Sequence, residues 1–183
     1  MALNIFYKIS TLYQAMDKTW DNIASQYDFQ CNGCENNCCR SLFFHHTLVE
    51  KAYLLHGFDQ LSRNIKEESI SRARDYCSKT FQKTNATTSL KLMCPLNRDG
   101  RCILYKYRPM ICRLHGLPHE LHKPGNTVLQ GKGCDAGFFD SKKYIAFDRT
   151  PFYREMAGIE MAYRKKTHKN GRIKETVAQM LAG

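Results

Sequence analysis

The stretch CNGCENNCCR, residues 31–40, places four cysteines within nine positions and decides how this chain is organised. Four more follow in CPLNRDGRCILYKYRPMICRLHG, residues 94–116, and in GKGCDAGFF, residues 131–139. Thiols at such short spacings indicate either disulfides or bound metal. The ninth cysteine, Cys77, stands apart from the pattern.

Metal is favoured over disulfides. The N-terminal sequence lacks the basic and apolar regions of a secretory signal, and no run of about 18 apolar residues could span a membrane. An odd number of cysteines would leave one thiol unpaired, and 183 residues can bury a core without covalent cross-links. We therefore expect a cytoplasmic protein with no membrane association, whose reduced thiols are available for metal.

Length and composition predict one globular domain over residues 1–183. Basic side chains exceed acidic ones by eleven, and residues 141–183 carry 10 basic and 4 acidic side chains. Such a basic helical C-terminal segment could bind nucleic acid or an acidic protein partner. Because no recognised nucleic-acid motif accompanies the charge, we interpret the segment as a solvated helix face and a loop.

Much of the remaining sequence predicts helices. Apolar residues recur every three or four positions over residues 5–27 and again over residues 61–81, where Asp59 could cap the helix. Cys77 falls on the apolar face of the second pattern, so we expect a small buried hydrophobe there. Thr150, followed by proline, predicts the start of a further helix.

Shorter elements have local signals. Thr47 and Glu50 have the spacing of a capping box, which predicts a helix beginning near Thr47 and ending at Gly57. Turn residues over 97–101 predict a β-hairpin, and the prolines and glycines of residues 117–137 favour a loop. The predicted fold class is mainly α: a small helical domain with irregular cysteine-bearing loops and one short β-hairpin, organised around metal.

The spacing of the first four cysteines suggests how they could bind metal. Cys31 and Cys34 form a C-x-x-C pair, from which two thiolates can reach one metal. The side chains of the adjacent Cys38 and Cys39 diverge, so they suit separate irons or two neighbouring sites better than one tetrahedral ion. Eight thiolates could fill two four-cysteine sites, one cluster plus one zinc ion, or one site with spare thiols. Four-cysteine ligation fits both zinc and iron–sulfur clusters.

Residues beside the cysteines also bear on the metal. Cys94 precedes proline, as does the last cluster cysteine of bacterial ferredoxins. Cys112 and His115 have a C-x-x-H spacing, so a Cys₃His zinc site is an alternative, although His115 is more simply a hydrogen-bonding neighbour. Three flanking arginines could donate hydrogen bonds to cluster sulfurs: Arg40, Arg108 and Arg113.

Other cofactor and catalytic signatures are missing from the sequence. Ser41 stands where the radical S-adenosylmethionine motif would have its third cysteine. The sequence has neither a Walker loop nor a dinucleotide-binding glycine motif, and no nucleophile–base pair or paired carboxylates can be recognised. No catalytic residue is therefore predicted.

The combination of CNGCENNCC, CPL and GRCILYKYRPMICR resembles a bacterial cysteine-cluster family described as a zinc- or iron-chelating domain. The same domain is the N-terminal domain of flagellin lysine-N-methylases. The similarity covers residues 28–137, which we take as the metal-binding core. This chain has three residues, 35–37, where the family has two before the double cysteine. The resemblance implies metal binding by eight cysteines: Cys31, Cys34, Cys38, Cys39, Cys94, Cys102, Cys112 and Cys134.

These observations predict a cytosolic metal-binding protein with a redox or accessory role. The expected cofactor is an iron–sulfur cluster, most simply of the 4Fe–4S type and with room for a second metal site, or else zinc. Two alternatives stay open. One is an S-adenosylmethionine-dependent protein lysine methyltransferase, and the other is a structural-zinc module that binds nucleic acid.

Overall fold

A computed structural model of the protein describes residues 3–31, 37–81 and 91–183, apart from the side chains of Leu3 and Phe81. This part of the chain is mainly helical, which confirms the predicted fold class at that level. Its α-helices are α1 (Leu3–Gln26), α2 (Leu48–Asp59), α3 (Arg63–Phe81), α4 (Met110–Leu114), α5 (Thr150–Thr167) and α6 (Val177–Ala182). Its strands are β1 (Asn97–Arg98), β2 (Arg101–Cys102), β3 (Pro118–His122) and β4 (Val128–Lys132), in two antiparallel pairs.

The chain divides into two compact units. The first unit comprises Met1–Cys38 and Met110–Lys169, and the second comprises Cys39–Pro109 and Asn170–Gly183. The boundary between them falls between two adjacent cysteines of the sequence pattern. One folding domain over the whole chain stays a prediction.

Helix α1 is the longest element of the first unit and packs against α4 and α5. The apolar face predicted for residues 5–27 is its buried face, where Ile9 and Met16 are fully excluded from solvent. Helix α5 begins at Thr150, as predicted, with Pro151 in its first turn, where a missing N–H costs nothing. The structure describes four patterned cysteines in this unit: Cys31, Cys38, Cys112 and Cys134.

The β3–β4 hairpin of the first unit shows that the predicted loop over residues 117–137 was wrong. Gly125 and Asn126, with φ of 83° and 61°, lie in the turn between the strands. At Gly131 a Cβ would overlap the ring of His119 on the opposite strand, so this glycine lets the ring pack closely. The glycines of this segment, which indicated a loop, therefore have defined roles in a hairpin. Gly125 serves the turn, and Gly131 allows the close contact with His119.

Helices α3 and α6 pack against each other in the second unit. Cys77 packs half-buried against their apolar cluster, on the face that its helical period predicted. Cys94 and Cys102 also pack against this cluster, so the β1–β2 region is held on the same core. The buried members of this apolar cluster include Leu54, Phe58, Ala73, Leu96, Leu104, Met180 and Leu181.

Both ends of α2 differ from the prediction. Thr47 is the N-cap, but its Oγ1 donates a 2.6 Å hydrogen bond to Glu50 Oε2 and accepts none from the helix backbone. The predicted capping box is therefore not formed. The helix continues through Gly57 to Asp59, and α3 begins later, at Arg63, so Asp59 does not cap it.

Gly57 has a packing role within α2. A Cβ at this position would overlap the ring of Tyr107, which lies in the short 3₁₀ turn Tyr105–Tyr107. The Tyr107 ring centroid also lies 5.0 Å from that of Tyr53, with the rings tilted at 53°. The Tyr107 hydroxyl donates a 3.1 Å hydrogen bond to Gln60 Oε1. The turn after the β1–β2 hairpin is thereby fixed against α2.

Strands β1 and β2 confirm the predicted hairpin. Asp99 and Gly100 both have positive φ, 49° and 80°, the backbone twist that suits a two-residue hairpin turn. The register pairs Asn97 with Cys102. The two-residue turn at Asp99 and Gly100 therefore sets the register that places Asn97 opposite Cys102.

Candidate metal centre

The structure describes seven of the eight predicted ligands, and Cys34 lies outside the described residues. Cys31 is exposed. The other six are half-buried: Cys38, Cys39, Cys94, Cys102, Cys112 and Cys134. Partial burial is typical of sulfur ligands, which need a protected site with a route for metal to enter.

Three predicted ligands come together in the second unit. The amide nitrogen of Cys94 donates a 2.7 Å hydrogen bond to the carbonyl oxygen of Cys39, so these two chain segments are adjacent. The Cys94 carbonyl accepts a 3.0 Å hydrogen bond from the amide of Asn97, which pairs with Cys102 across the hairpin. The thiols of Cys39 and Cys102 interact electrostatically with that of Cys94.

The Cys94 thiol lies in surroundings that oppose a lone negative charge. Burial raises its pKa to about 12, and the neighbouring thiols of Cys39 and Cys102 act in the same direction. Arg72 lowers the pKa, and its Nη2 donates a 3.4 Å hydrogen bond to the Cys94 carbonyl. Such a thiol ionises when a bound cation compensates its charge. No local sequence signal marks Arg72, because it lies on α3, far along the chain from the cysteine.

Asn97 lies beside two of these cysteines, three residues after Cys94 in sequence and opposite Cys102 in the hairpin. Its side chain is buried, and its Nδ2 has no hydrogen-bond partner in the described part of the protein. A buried donor without an acceptor costs about 1–3 kcal/mol. An anionic sulfur nearby is a group that this amide could stabilise, so the side chain fits a thiolate-bound metal.

Two further ligands are linked through Gly116 in the first unit. The amide of Cys134 donates a 2.8 Å hydrogen bond to the Gly116 carbonyl. A Cβ on Gly116 would lie 4.0 Å from Cys134 Sγ and 3.8 Å from the rings of Phe29 and Trp20. Cys112 lies on α4, which ends just before this glycine. The positive φ of 106° at Gly116 brings the helix end and the Cys134 loop together.

Buried donors hold the turn after α4. Arg149 Nη2 donates to the carbonyl oxygens of Leu114 and Leu117, the latter at 3.2 Å. Trp20 Nε1 donates a 2.9 Å hydrogen bond to the His115 carbonyl. Burial lowers the pKa of Arg149 to about 10. The backbone of His115 thus belongs to the scaffold, and its side chain as a ligand stays an alternative.

Arg113, expected beside the cluster sulfurs, interacts with α1. It is 3% exposed, its Nη1 donates a 2.5 Å hydrogen bond to Asp17 Oδ2, and its guanidinium lies 4.1 Å from the Tyr13 ring centroid. The Arg108 guanidinium stacks at 3.8 Å over the ring of Tyr105. These contacts bind both arginines to the scaffold around the cysteines.

The described side chains do not form a closed coordination set. Within residues 3–31, 37–81 and 91–183, no group of three or more His, Cys, Asp or Glu side chains is arranged to hold a metal ion. The donor chemistry nevertheless fits a thiophilic metal, because three patterned cysteines lie on adjacent backbone segments and an unsatisfied amide donor accompanies them.

The basic residues near the C-terminus are mostly solvated. Arg164 pairs with Glu160 on α5 at 2.5 Å, and the Lys174 ammonium lies 4.7 Å from the Phe44 ring centroid. The exposed basic side chains here are Lys165, Lys166, Lys169, Arg172 and Lys174. This arrangement agrees with a solvated helix face.

No family model, curated protein or solved structure matches this chain. The resemblance to the cysteine-cluster family stays a prediction. None of the described helices has the length and apolar character needed to cross a membrane.

Proposed function

We propose that this protein is a cytosolic metal-binding protein whose patterned cysteines hold an iron–sulfur cluster, with a redox or accessory role. One observation supports the proposal: Cys39, Cys94 and Cys102 are distant in sequence but lie on adjacent backbone segments of one unit. The Cys94 amide donates a 2.7 Å hydrogen bond to the Cys39 carbonyl, and Cys102 pairs with Asn97 in the hairpin that follows Cys94. Cysteines that serve only as small hydrophobes have no reason to converge.

The chain's own residues supply what such a cluster needs. Thiolates of the patterned cysteines would ligate the irons, and Arg72 and Asn97 would offset negative charge beside Cys94. When bound, the cluster would accept or donate one electron. Two separate groups of thiols would also accommodate zinc in one of them.

The experiment is anaerobic purification with iron available, followed by iron, zinc and acid-labile sulfide analysis and an absorption spectrum. We expect brown protein with broad visible absorption, and iron and sulfide in comparable amounts. Colourless protein with stoichiometric zinc and no sulfide would reject the cluster while leaving the ligand assignment in place. Protein that binds neither metal would reject the function itself.

Chelation provides a second readout. Because metal binding is coupled to folding in small metal sites, removing the metal should destabilise the cysteine-bearing segments. Protease should then cleave first within residues 28–46 and 94–137. Unchanged protease resistance and melting of the metal-free protein would show that the fold does not depend on metal.

A further inference from the structure

We propose that the outer edge of strand β4 binds an extended, acidic segment of a partner protein, which pairs with β4 as an additional strand. This β4 edge is defined by the outward-facing backbone groups of Val128, Gln130 and Lys132. The edge lies within the first unit, and its backbone groups belong to none of the cysteines. The inference therefore goes beyond the proposed metal binding and does not depend on it.

The direction of the backbone groups at the centre of β4 follows from the hairpin register. The amide of Glu120 donates a 2.9 Å hydrogen bond to the Phe147 carbonyl, and the Glu120 carbonyl accepts a 3.0 Å hydrogen bond from the Arg149 amide. Glu120 on β3 thus turns its backbone groups away from β4. In such an antiparallel pair the opposite residue, Gln130, likewise turns its amide and carbonyl away from β3.

The residues two positions before and after Gln130 have the same orientation, because it alternates along an antiparallel strand. The amide of His122, which stands opposite Val128, donates a 2.7 Å hydrogen bond to Thr150 Oγ1 and so also points away from β4. Pro118, opposite Lys132, has no N–H to donate. Val128 and Lys132 therefore present their amides and carbonyls on the same outer side.

The β4 edge is open in the part of the chain that the structure describes. No hydrogen bond within residues 3–31, 37–81 and 91–183 engages the outward backbone groups of β4. Val128 and Leu129 are 43% and 42% exposed, so apolar surface flanks the edge on both faces of the strand. The other edge of the hairpin is covered, because residues 147–149 bond to β3. An exposed strand with unpaired amides and carbonyls is a template for another strand.

Charge selects an acidic partner. Lys132 is the one charged residue of β4, and its side chain is 73% exposed. It lies 3.3 Å from the equally exposed Asp135, a surface pair that contributes little and leaves the ammonium accessible. Lys123, in the turn before β4, is also exposed. With a net charge of +11, two copies of the chain repel each other, whereas a carboxylate opposite Lys132 is attracted.

Peptide binding to the full-length protein tests the inference. The probe is a fluorescein-labelled peptide of alternating valine and glutamate, and its matched control has lysine in place of each glutamate. In fluorescence polarisation, wild-type protein should bind the acidic peptide at least about 10-fold more tightly than the basic one. Equal affinity for the two peptides, or binding of neither, would overturn the proposal and leave the proposed metal binding unaffected. Dimerisation through β4 in place of peptide binding would overturn it as well.

Two substitutions separate the backbone contribution from the charge. Gln130→Pro removes an outward N–H without removing a bond to β3, so it should weaken binding of the acidic peptide by about 10-fold or more. Gln130→Thr keeps the N–H and should bind as the wild type does. Lys132→Glu should reverse the preference between the two peptides. Wild-type affinity in Gln130→Pro, with the hairpin shown intact by urea denaturation, would contradict strand addition.

A measurement on the wild-type protein alone guards against misfolded variants. Two further acidic peptides carry N-methyl groups, one on the valine amides and the other on the glutamate amides. An added strand directs alternate amides toward β4, so methylation of one set should abolish binding and methylation of the other should preserve it. Equal effects of the two methylation patterns would overturn pairing at the β4 edge.

Discussion

The amide of Cys94 is hydrogen-bonded at 2.7 Å to the carbonyl oxygen of Cys39. The two residues come from opposite ends of a segment that contains α2 and α3, so this bond closes a long loop within the second unit. It holds two candidate ligands together by backbone contacts alone. Metal affinity at this site should therefore depend on scaffold residues that are not ligands, and variants at such residues test the arrangement.

Asn97→Leu should have opposite effects on the metal-free and metal-loaded protein. Removing a buried amide without a partner should leave the metal-free protein equally stable or more stable by about 1 kcal/mol. Loss of a donor to metal-bound sulfur should weaken metal retention by about 10-fold to 100-fold. Urea denaturation and competition with a chelator measure the two quantities.

The matched control for Asn97→Leu is Asn170→Leu, at an exposed position of the same unit. This control variant should change neither the stability of the metal-free protein nor the retention of metal. If Asn97→Leu destabilises the metal-free protein and leaves metal retention unchanged, the amide has a structural role only.

Gly57→Ala should destabilise the protein. The new methyl would overlap the Tyr107 ring, and overpacking costs about 1–3 kcal/mol, partly offset by the higher helix propensity of alanine. In contrast, Gly158→Ala on α5 should stabilise by about 0.5–1 kcal/mol, because a Cβ there meets nothing within 4 Å. Chemical denaturation of both variants measures the difference. Equal effects of the two substitutions would show that the Tyr107 contact does not constrain α2.

Arg149→Met should cost about 2–4 kcal/mol of folding stability. The substitution leaves the carbonyl oxygens of Leu114 and Leu117 without their buried donor. Arg154→Ala, at an exposed position of α5, should change stability by less than about 0.5 kcal/mol. Thermal melting compares the two. A small effect at Arg149 would mean that the turn after α4 is held by other contacts.

Stability should fall as the pH falls below about 7, in part because of His45. Burial, and then the nearby His46, lower the pKa of this histidine from 6.5 to about 4. Between these values the unfolded chain binds a proton that the folded protein does not, so folding stability rises with pH across this window and is lost on acidification. The full difference between the two pKa values of His45 corresponds to about 3 kcal/mol of folding stability.

His45→Gln should flatten the pH dependence of the free energy of unfolding between pH 7 and pH 4. His46→Gln should retain most of it, because the His46 side chain is exposed. Urea denaturation at several pH values gives the slopes. Identical slopes for wild type and His45→Gln would show that the histidine is not buried in its neutral form.

Local signals were enough to predict some elements. The apolar period gave α1, the proline after Thr150 gave the start of α5, and the Asp99–Gly100 turn gave the β1–β2 hairpin, because each depends on neighbouring residues only. The β3–β4 hairpin was missed because Gly125 serves its turn and Gly131 packs against His119 on the paired strand, a contact that local sequence signals do not reveal. Gly57 was mistaken for a helix end for the same reason.

The sequence suggested a set of candidate ligands, whose role stays a prediction, but not their arrangement. The spacing of the cysteines suggested the candidate ligands. The adjacent Cys38 and Cys39 suggested that the ligands are divided between two irons or two sites. Which cysteines group together depends on the path of α3 and the hairpin. The roles of Arg72 and Asn97 likewise depend on burial and on contacts across the chain, neither of which has a local signature.

The two-residue turn at Asp99 and Gly100 also has a consequence for the order of assembly. Short hairpins close within about 1–10 μs, and a short loop carries a smaller entropic cost than a long one. Cys94 and Cys102 should therefore be paired early in folding, before the long loop back to Cys39 closes. A newly synthesised chain would then present the two thiols of Cys94 and Cys102 to the proposed metal. Binding of the metal by these two thiols would bring Cys39 into position as the next ligand.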